Sequence, residues 1–243
     1  MNTAKTAPFY DLTWSALDWL FPPQCVGCGK RGAILCDRCQ TTLKTIPIDC
    51  CKKCGKPLHA TKICQTCLTQ EFSFTQARAA YLYEGIVREA IHQLKFSGNL
   101  GLANLFSKML YSVYLYGNQQ VDLVTAVPLS QNKLNERGFN QSVWIGRPLA
   151  TRIGVPFKSR ALIKMKDTEP QVGLNRVQRH GNLKGAFLAE PKLVNGKKVL
   201  IVDDVMTTGA TFQACAEALL VAGAKEIYCL SVATTDHFLK PQD

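Results

Sequence analysis

The sequence predicts an α/β protein with a mostly parallel sheet and flanking helices, preceded by a small cysteine-rich module. Two observations carry this prediction. From Ala77 onward, apolar runs of strand length alternate with helical patterns, which is typical of a parallel sheet covered on both faces. Before that point, nine of the eleven cysteines lie between Cys25 and Cys67. The 243 residues suffice for one such domain and a small module, and a hydrophobic content of 47% supports a core.

Residues 1–24 are predicted to form an amphipathic helix, because Tyr10, Trp14, Leu17 and Phe21 recur at helical spacing. We expect this helix to pack on its neighbour, with a membrane-surface helix as the alternative. The segment lacks the apolar region of a secretion signal, and no apolar run in the chain reaches the ~18 residues of a membrane span. The protein is therefore expected to be cytoplasmic.

Residues 25–70 contain four C-x-x-C pairs, arranged as a repeat of about 26 residues. The eight cysteines are Cys25, Cys28, Cys36, Cys39, Cys51, Cys54, Cys64 and Cys67. Two such turns can place four thiolates around one Zn²⁺ at about 2.3 Å. A disulfide scaffold is the less favoured alternative, because nothing in the sequence directs export. We predict two structural zinc ions, one in each repeat in preference to interleaved pairing. Cys50 is a spare that could replace Cys51.

Residues 76–243 are predicted to form one domain of alternating strands and helices. The predicted strands are 77–83, 121–127, 186–189, 197–204 and 226–234. The predicted helices are 86–96, 102–116, 141–153 and 209–222. Ligands of such sheets bind beyond the carboxyl ends of the strands, so the residues that follow each strand are candidate site residues.

The stretch VLIVDDVMTTGAT, residues 199–211, combines an acidic pair with a small-residue turn that opens a helix. Asp203 and Asp204 can accept hydrogen bonds from vicinal hydroxyl groups. The turn, whose backbone N–H groups and hydroxyls suit a phosphate, consists of Thr207, Thr208, Gly209, Ala210 and Thr211. A phosphorylated sugar satisfies both features. If that sugar carried a pyrophosphate, it would also need Mg²⁺ and basic side chains.

Other acidic or glycine-rich motifs fit less well. The strand end resembles that of a response-regulator receiver domain, but only 40 residues follow Asp203, too few to complete one. The Rossmann and P-loop glycine patterns are missing.

Positive charge is concentrated in the middle of the chain. The formal net charge is +11, and residues 133–184 hold eleven Lys/Arg against three Asp/Glu. This charge permits an acidic partner such as nucleic acid or a polyphosphate. Within this region, residues 164–185 form a long polar segment, for which a functional loop and a solvated basic face are the two interpretations.

Residues 199–211 resemble the phosphoribosyl-pyrophosphate (PRPP) fingerprint of type I phosphoribosyltransferases. The whole chain resembles the ComF family of DNA-uptake competence proteins, which includes proteins named GntX. This second resemblance runs from about Phe21 to Thr234. It includes FPPQCVGCG, CKKCG, IHQLKFSGNLGLA around Lys95, VPLSQNKLNERGFNQS, and the spaced Gln171, Arg176, Asn182 and Phe187. The resemblance implies a type I phosphoribosyltransferase-like domain preceded by a double zinc ribbon.

The resemblance also implies roles for individual residues. Asp203 and Asp204 would hold the ribose 2′- and 3′-hydroxyls, and the turn after them would cradle the 5′-phosphate. The candidates for the pyrophosphate and for a flexible loop that closes over PRPP are Pro128, Leu129, Lys133, Arg137, Gln171, Arg176 and Arg179. The signature RGFNQ, residues 137–141, belongs to the family pattern, while its residues alone indicate a helix N-terminus with a buried Phe.

The implied function is that of a competence protein that binds PRPP with Mg²⁺ and helps to handle incoming single-stranded DNA. Its partners would be the DNA and the uptake machinery, at the inner face of the membrane. One alternative is a metabolic phosphoribosyltransferase that transfers phosphoribose to a nitrogen nucleophile, although no acceptor pocket is recognisable. A PRPP-sensing regulator is a third interpretation.

Overall fold

The computed structural model describes residues 23–47, 49–58, 62–117, 119–165 and 185–235. The predicted N-terminal helix, apart from its last two residues, lies outside the described residues. So do Gln171, Arg176 and Arg179 of the basic segment.

A central parallel sheet confirms the predicted fold class. Its strands are β1 (Gln76–Leu82), β2 (Leu123–Ala126), β5 (Lys198–Met206) and β6 (Glu226–Thr234), in the order β1-β6-β5-β2. Two short strands, β3 (Leu162–Lys164) and β4 (Phe187–Ala189), form a separate antiparallel pair. The helices are α1 (Asp37–Gln40), α2 (Gln65–Thr69), α3 (Gly85–Phe96), α4 (Leu100–Gly117), α5 (Gln131–Arg137), α6 (Gln141–Ile153), α7 (Pro191–Val194) and α8 (Ala210–Val221).

The apolar run in β5 explains why the sheet is buried on both faces. Successive residues of a strand point to opposite faces. Val199 and Ile201 accordingly pack in one core cluster with Phe212 of α8, while Leu200 and Val202 pack in the other with residues of α3, α4 and α6. A strand covered by helices on both faces must be apolar throughout, which is the pattern that the sequence shows.

Several boundaries differ from the prediction. β5 was predicted to end at Asp204 but continues to Met206, because Val205 and Met206 pair with Ala233 and Thr234 of β6. The helix α5 and the strand β3 were not predicted at all. Among the described residues, no helix is both long enough and apolar enough to pass through a membrane.

The cysteine-rich module covers the edge strand β1. The backbone N–H of Ile46 donates to the carbonyl oxygen of Ala80 at 3.0 Å, and that of Leu82 donates to Lys44 at 2.9 Å. Further along the strand, the N–H of Ala77 donates to Lys53 at 2.7 Å. These bonds satisfy main-chain groups that an edge strand would otherwise expose.

Candidate zinc centres and ligand-binding cleft

The cysteines gather in two groups, one from each repeat, as sequential pairing predicts. The groups are Cys25, Cys28, Cys36 and Cys39, and Cys51, Cys54, Cys64 and Cys67, with all ligand atoms of a group within 4.8 Å of one another. The Sγ atoms of Cys25 and Cys36 lie 3.6 Å apart, and those of Cys54 and Cys64 lie 3.7 Å apart. A tetrahedron with Zn–S bonds of about 2.3 Å has sulfur–sulfur edges of about 3.8 Å. The thiols therefore fit one Zn²⁺ in each group, and Cys50 belongs to neither.

Backbone amides support ionised sulfur in both groups. The N–H of Cys36 donates to Cys25 Sγ at 3.4 Å, and the N–H of Cys64 donates to Cys51 Sγ at 3.3 Å. Although burial opposes ionisation, such backbone hydrogen bonds lower the pKa of Cys25 to about 6. Burial and the neighbouring thiols raise the pKa of Cys39 to about 12. Four ionised thiols thus need a cation among them, which is what a closed structural zinc site supplies.

A cleft of about 390 Å³ lies where the carboxyl ends of β2 and β5 meet. It brings together most of the described residues that were predicted for the PRPP site. These are Asp203, Asp204, Thr207, Gly209, Thr211, Pro128, Leu129, Lys133 and Arg137. Thr208 and Ala210 are not among its lining residues, and the Thr208 hydroxyl instead accepts a hydrogen bond from the Ala210 N–H at 3.3 Å.

The turn at the start of α8 presents backbone donors to the cleft. Gly209 caps the helix with a φ of +79°, a conformation that side chains with a Cβ rarely adopt. The first amides of an α-helix have no acceptor within the helix. Because Thr207, Gly209 and Thr211 line the cleft, these donors and the positive end of the helix dipole favour an anion there.

The two carboxylates of the acidic pair have different surroundings. The Asp204 side chain is only 6% exposed, forms an ion pair with Lys95 Nζ of α3, and is hydrogen-bonded by the Gln141 side chain. Asp203 is less buried, and its Oδ1 accepts hydrogen bonds at 2.9 Å from the Ser142 hydroxyl and from the Asp204 N–H. The pair is therefore held by three residues from two helices.

These surroundings separate the acidities of the two carboxyls. Burial and the adjacent Asp204 charge raise the pKa of Asp203 well above its usual range. Burial is the largest single influence on Asp204 and acts in the same sense, but the Lys95 charge and the hydrogen bonds from Lys95, Asp203 and Gln141 together outweigh it and lower the pKa of Asp204. Asp204 is thus the carboxyl held ionised beside Lys95.

The RGFNQ signature aligns the helix that contacts the acidic pair. Asn140 is the N-cap of α6, and its Oδ1 accepts hydrogen bonds from the backbone N–H groups of Ser142 at 2.9 Å and Val143 at 3.4 Å. Its Nδ2 donates to the carbonyl oxygen of Val127 at 3.0 Å, at the end of β2. The predicted helix N-terminus is correct, but Phe139 is only partly buried. The hydrogen bond from Asn140 to Val127 also connects this helix start to the wall of the cleft.

Basic side chains occupy one side of the cleft. Arg137 donates from Nη1 to Gln141 Oε1 at 3.1 Å, and its guanidinium lies 5.1 Å from the ring centre of Phe96. Its Nε is buried and has no hydrogen-bond partner among the described residues. Lys133, one turn earlier on α5, also lines this side of the cleft, whereas Lys164 lines the cleft from β3. An unpartnered buried donor beside further cations suits an anionic ligand.

Three residues that contact the acidic pair were missing from the predicted site residues: Lys95, Gln141 and Ser142. All three lie in stretches that carry the family resemblance, which was their only signal in the sequence. Their positions on α3 and α6 place them on the acidic pair through tertiary packing.

Two family models match the chain, a double zinc ribbon domain over residues 16–68 and a phosphoribosyl transferase domain over residues 140–243. The DNA utilization protein YhgH of Escherichia coli (strain K12) is 34% identical over 204 residues, which cover 81% of this chain and 88% of that protein. The competence protein ComFC of Bacillus subtilis (strain 168) is 28% identical over 221 residues, which cover 88% and 85%. The adenine phosphoribosyltransferase structure from Thermoanaerobacter pseudethanolicus matches 56% of this chain and 82% of that one, at 19% identity and a TM-score of 0.36.

Proposed function

The chain belongs to the ComF family of double-zinc-ribbon proteins with a phosphoribosyltransferase domain, and on this premise we propose that its cleft binds PRPP. The observation that carries the proposal is the arrangement of three features around one cleft. An acidic pair, an amide-lined turn and a group of basic side chains all face the same space. PRPP has the three matching parts, which are vicinal hydroxyls, a 5′-phosphate and a diphosphate.

In the proposed complex, the turn from Thr207 to Thr211 holds the 5′-phosphate through backbone N–H groups and hydroxyls. Asp203 accepts hydrogen bonds from the ribose hydroxyls, as the less buried member of the acidic pair. Lys133 and Arg137 face the diphosphate. Mg²⁺ binds through phosphate oxygens and one or two carboxylates, and Asp203 is the carboxylate that could contribute to it.

We further propose that the protein helps to handle incoming single-stranded DNA during natural transformation. The names of two relatives, a DNA utilization protein and a competence protein, support this role. The high net charge of +11 is compatible with binding to the phosphate backbone.

Calorimetric titration with PRPP, with and without Mg²⁺, tests the ligand. The double variant Asp203→Ala/Asp204→Ala should bind PRPP at least about tenfold more weakly, because each hydrogen bond to a charged group contributes about 1.5–3 kcal/mol. Asp49→Ala is the matched control, since Asp49 is exposed and lies outside the cleft. Wild-type affinity in the double variant would show that PRPP does not use this site.

A phosphoribosyl transfer would use the same bound PRPP, and the presence of all three ligand-binding features in one cleft favours testing it. Release of pyrophosphate should then depend on an added nitrogen nucleophile such as a nucleobase. A protein that binds PRPP but releases no pyrophosphate with any base tested would be acting as a binding protein.

A further inference from the structure

We infer that the two carboxylates of the acidic pair have different roles: Asp203 accepts hydrogen bonds from the ribose, whereas Asp204 positions Lys95 to contact the diphosphate. This inference rests on the proposed binding of PRPP and assigns separate roles within that site. It differs from the expectation that both carboxylates hold ribose hydroxyls.

Asp204 is less accessible to a ligand than Asp203. With its side chain 6% exposed, Asp204 has little surface left for a ligand. Its carboxylate already faces the Lys95 ammonium and the Gln141 amide. Asp203 keeps more exposure, and the hydrogen bonds to its carboxylate from Ser142 and the Asp204 N–H both end on Oδ1. Asp203 Oδ2 is thus the oxygen of the pair best placed to accept a ribose hydroxyl.

Lys95 lies close to the basic residues of α5 that line the cleft. It lies in the last turn of α3, next to Phe96, and the guanidinium of Arg137 covers the Phe96 ring at 5.1 Å. Lys95, Arg137 and Lys133 all line the cleft, with Lys133 one turn before Arg137 on α5. Lys95 therefore belongs to the basic side of the cleft, which is the side proposed for the diphosphate.

Positive charge exceeds negative charge among these residues. Lys95, Lys133 and Arg137 bring three positive charges to this side, and among the described residues the one ion pair they form is that of Lys95 with Asp204. Arg137 also retains a buried Nε without a partner in that part of the chain. A diphosphate supplies the missing negative charge and several acceptor oxygens. The Lys95 ammonium, 20% exposed, can donate to it while one donor remains on Asp204.

Asp204 acts in this arrangement as a positioning residue. A lysine side chain loses rotamer entropy when it is fixed, and an ion pair formed beforehand removes part of that cost from ligand binding. Loss of Asp204 should therefore weaken the diphosphate contact in the same way as loss of Lys95.

Two ligands separate the roles. PRPP carries the diphosphate and ribose 5-phosphate lacks it, so the affinity of each variant is measured for both ligands by calorimetric titration. If ribose 5-phosphate gives too little heat of binding, its affinity is measured by displacement. Lys95→Met should weaken the binding of PRPP at least about tenfold, as expected for lost hydrogen bonds to a charged group. The same variant should weaken the binding of ribose 5-phosphate less than about twofold. Asp203→Asn should weaken both ligands by a similar factor. Lys95→Arg should restore part of the PRPP affinity, because it keeps the charge.

A double-mutant cycle tests the positioning role. Lys95→Met/Asp204→Asn should bind PRPP no more weakly than the weaker of its two single variants, since both act through one contact. A single variant leaves one buried charge without its partner and can fail to fold for that reason, whereas the double variant removes both charges. Circular dichroism and zinc content check that the double variant is folded. Equal weakening of both ligands by Lys95→Met, or unchanged PRPP affinity, would overturn the inference. A wild-type protein that does not bind PRPP would instead refute the proposed function.

Discussion

The N-cap residue Asn140 offers a quantitative test of how the cleft is held together. Its side chain makes two kinds of bond, a cap on the amides of Ser142 and Val143 and a donor bond to the Val127 carbonyl. Replacing an N-cap Asn by Ala costs about 1 kcal/mol, and a typical hydrogen bond contributes about 1 kcal/mol more. Asn140→Ala should therefore lower the free energy of unfolding by about 2 kcal/mol.

A second substitution separates the two bonds. Asn140→Ser keeps an N-cap oxygen but is too short to reach Val127, so it should lose only about 1 kcal/mol. Urea unfolding followed by circular dichroism, on zinc-loaded protein, measures both values. Asn135→Ala is the control, because Asn135 is an exposed residue of α5 whose change should stay within about 0.5 kcal/mol.

PRPP affinity provides a second readout of the same variants. Asn140 fixes the start of α6, which carries Gln141 and Ser142 onto the acidic pair. Both variants should therefore weaken PRPP, with Asn140→Ala the more affected. Unfolding free energies of Asn140→Ala and wild type that agree within error would refute the account of this helix start.

The remaining predictions concern the metal, pH and DNA. Metal analysis should give two zinc ions per chain. Cys28→Ser should reduce this number to one and unfold the first ribbon, since metal binding by the thiolates supplies the folding free energy of that ribbon. Two zinc ions per chain in the variant would contradict the ligand assignment. The affinity for PRPP should rise with pH across the neutral range, because the pKa of Asp203 is raised and its ionised form is the better acceptor. In Asp203→Asn, only the pH dependence that comes from the ligand phosphates should remain. Fluorescence anisotropy should show weak binding of single-stranded DNA at low salt. If two phosphates are contacted, the logarithm of the binding constant should fall with the logarithm of the salt concentration with a slope of about −1.4. The double variant Arg176→Ala/Arg179→Ala should bind the DNA more weakly. No binding at low salt would leave a partner protein as the link to DNA.

The long apolar elements were the predictable part of the fold. The helix Gln141–Ile153 and the strand Glu226–Thr234 have the predicted bounds, because each has a pattern of apolar residues over nine or more positions. The helix Gln131–Arg137 was missed since Leu134 is its only apolar residue. The strand Leu162–Lys164 was also missed, because three residues carry no periodicity and its partner strand defines it.

The site was predictable where it is local in sequence. Residues 203–211 hold an acidic pair and a helix start whose chemistry follows from their order along the chain. Lys95 could not be assigned in this way, since a lysine with apolar neighbours on a helix has the same pattern whether it faces solvent or a carboxylate. Its role depends on the packing of α3 beside β5, which is a tertiary property.

The helix α3 connects the zinc module to the cleft. At its first turn, Ile86 packs so closely against the first ribbon that a Cβ on Gly27 would lie 2.6 Å from its Cδ1. Just before the helix, Glu84 forms an ion pair with Lys44 of the module at 2.7 Å. At its last turn, the same helix places Lys95 on the acidic pair. Because a packed helix moves largely as a unit, a ribbon that holds one end of α3 also restrains the lysine at the other end. We therefore expect the first zinc ion to stabilise α3 as well as its own module, since the first ribbon packs against the start of this helix.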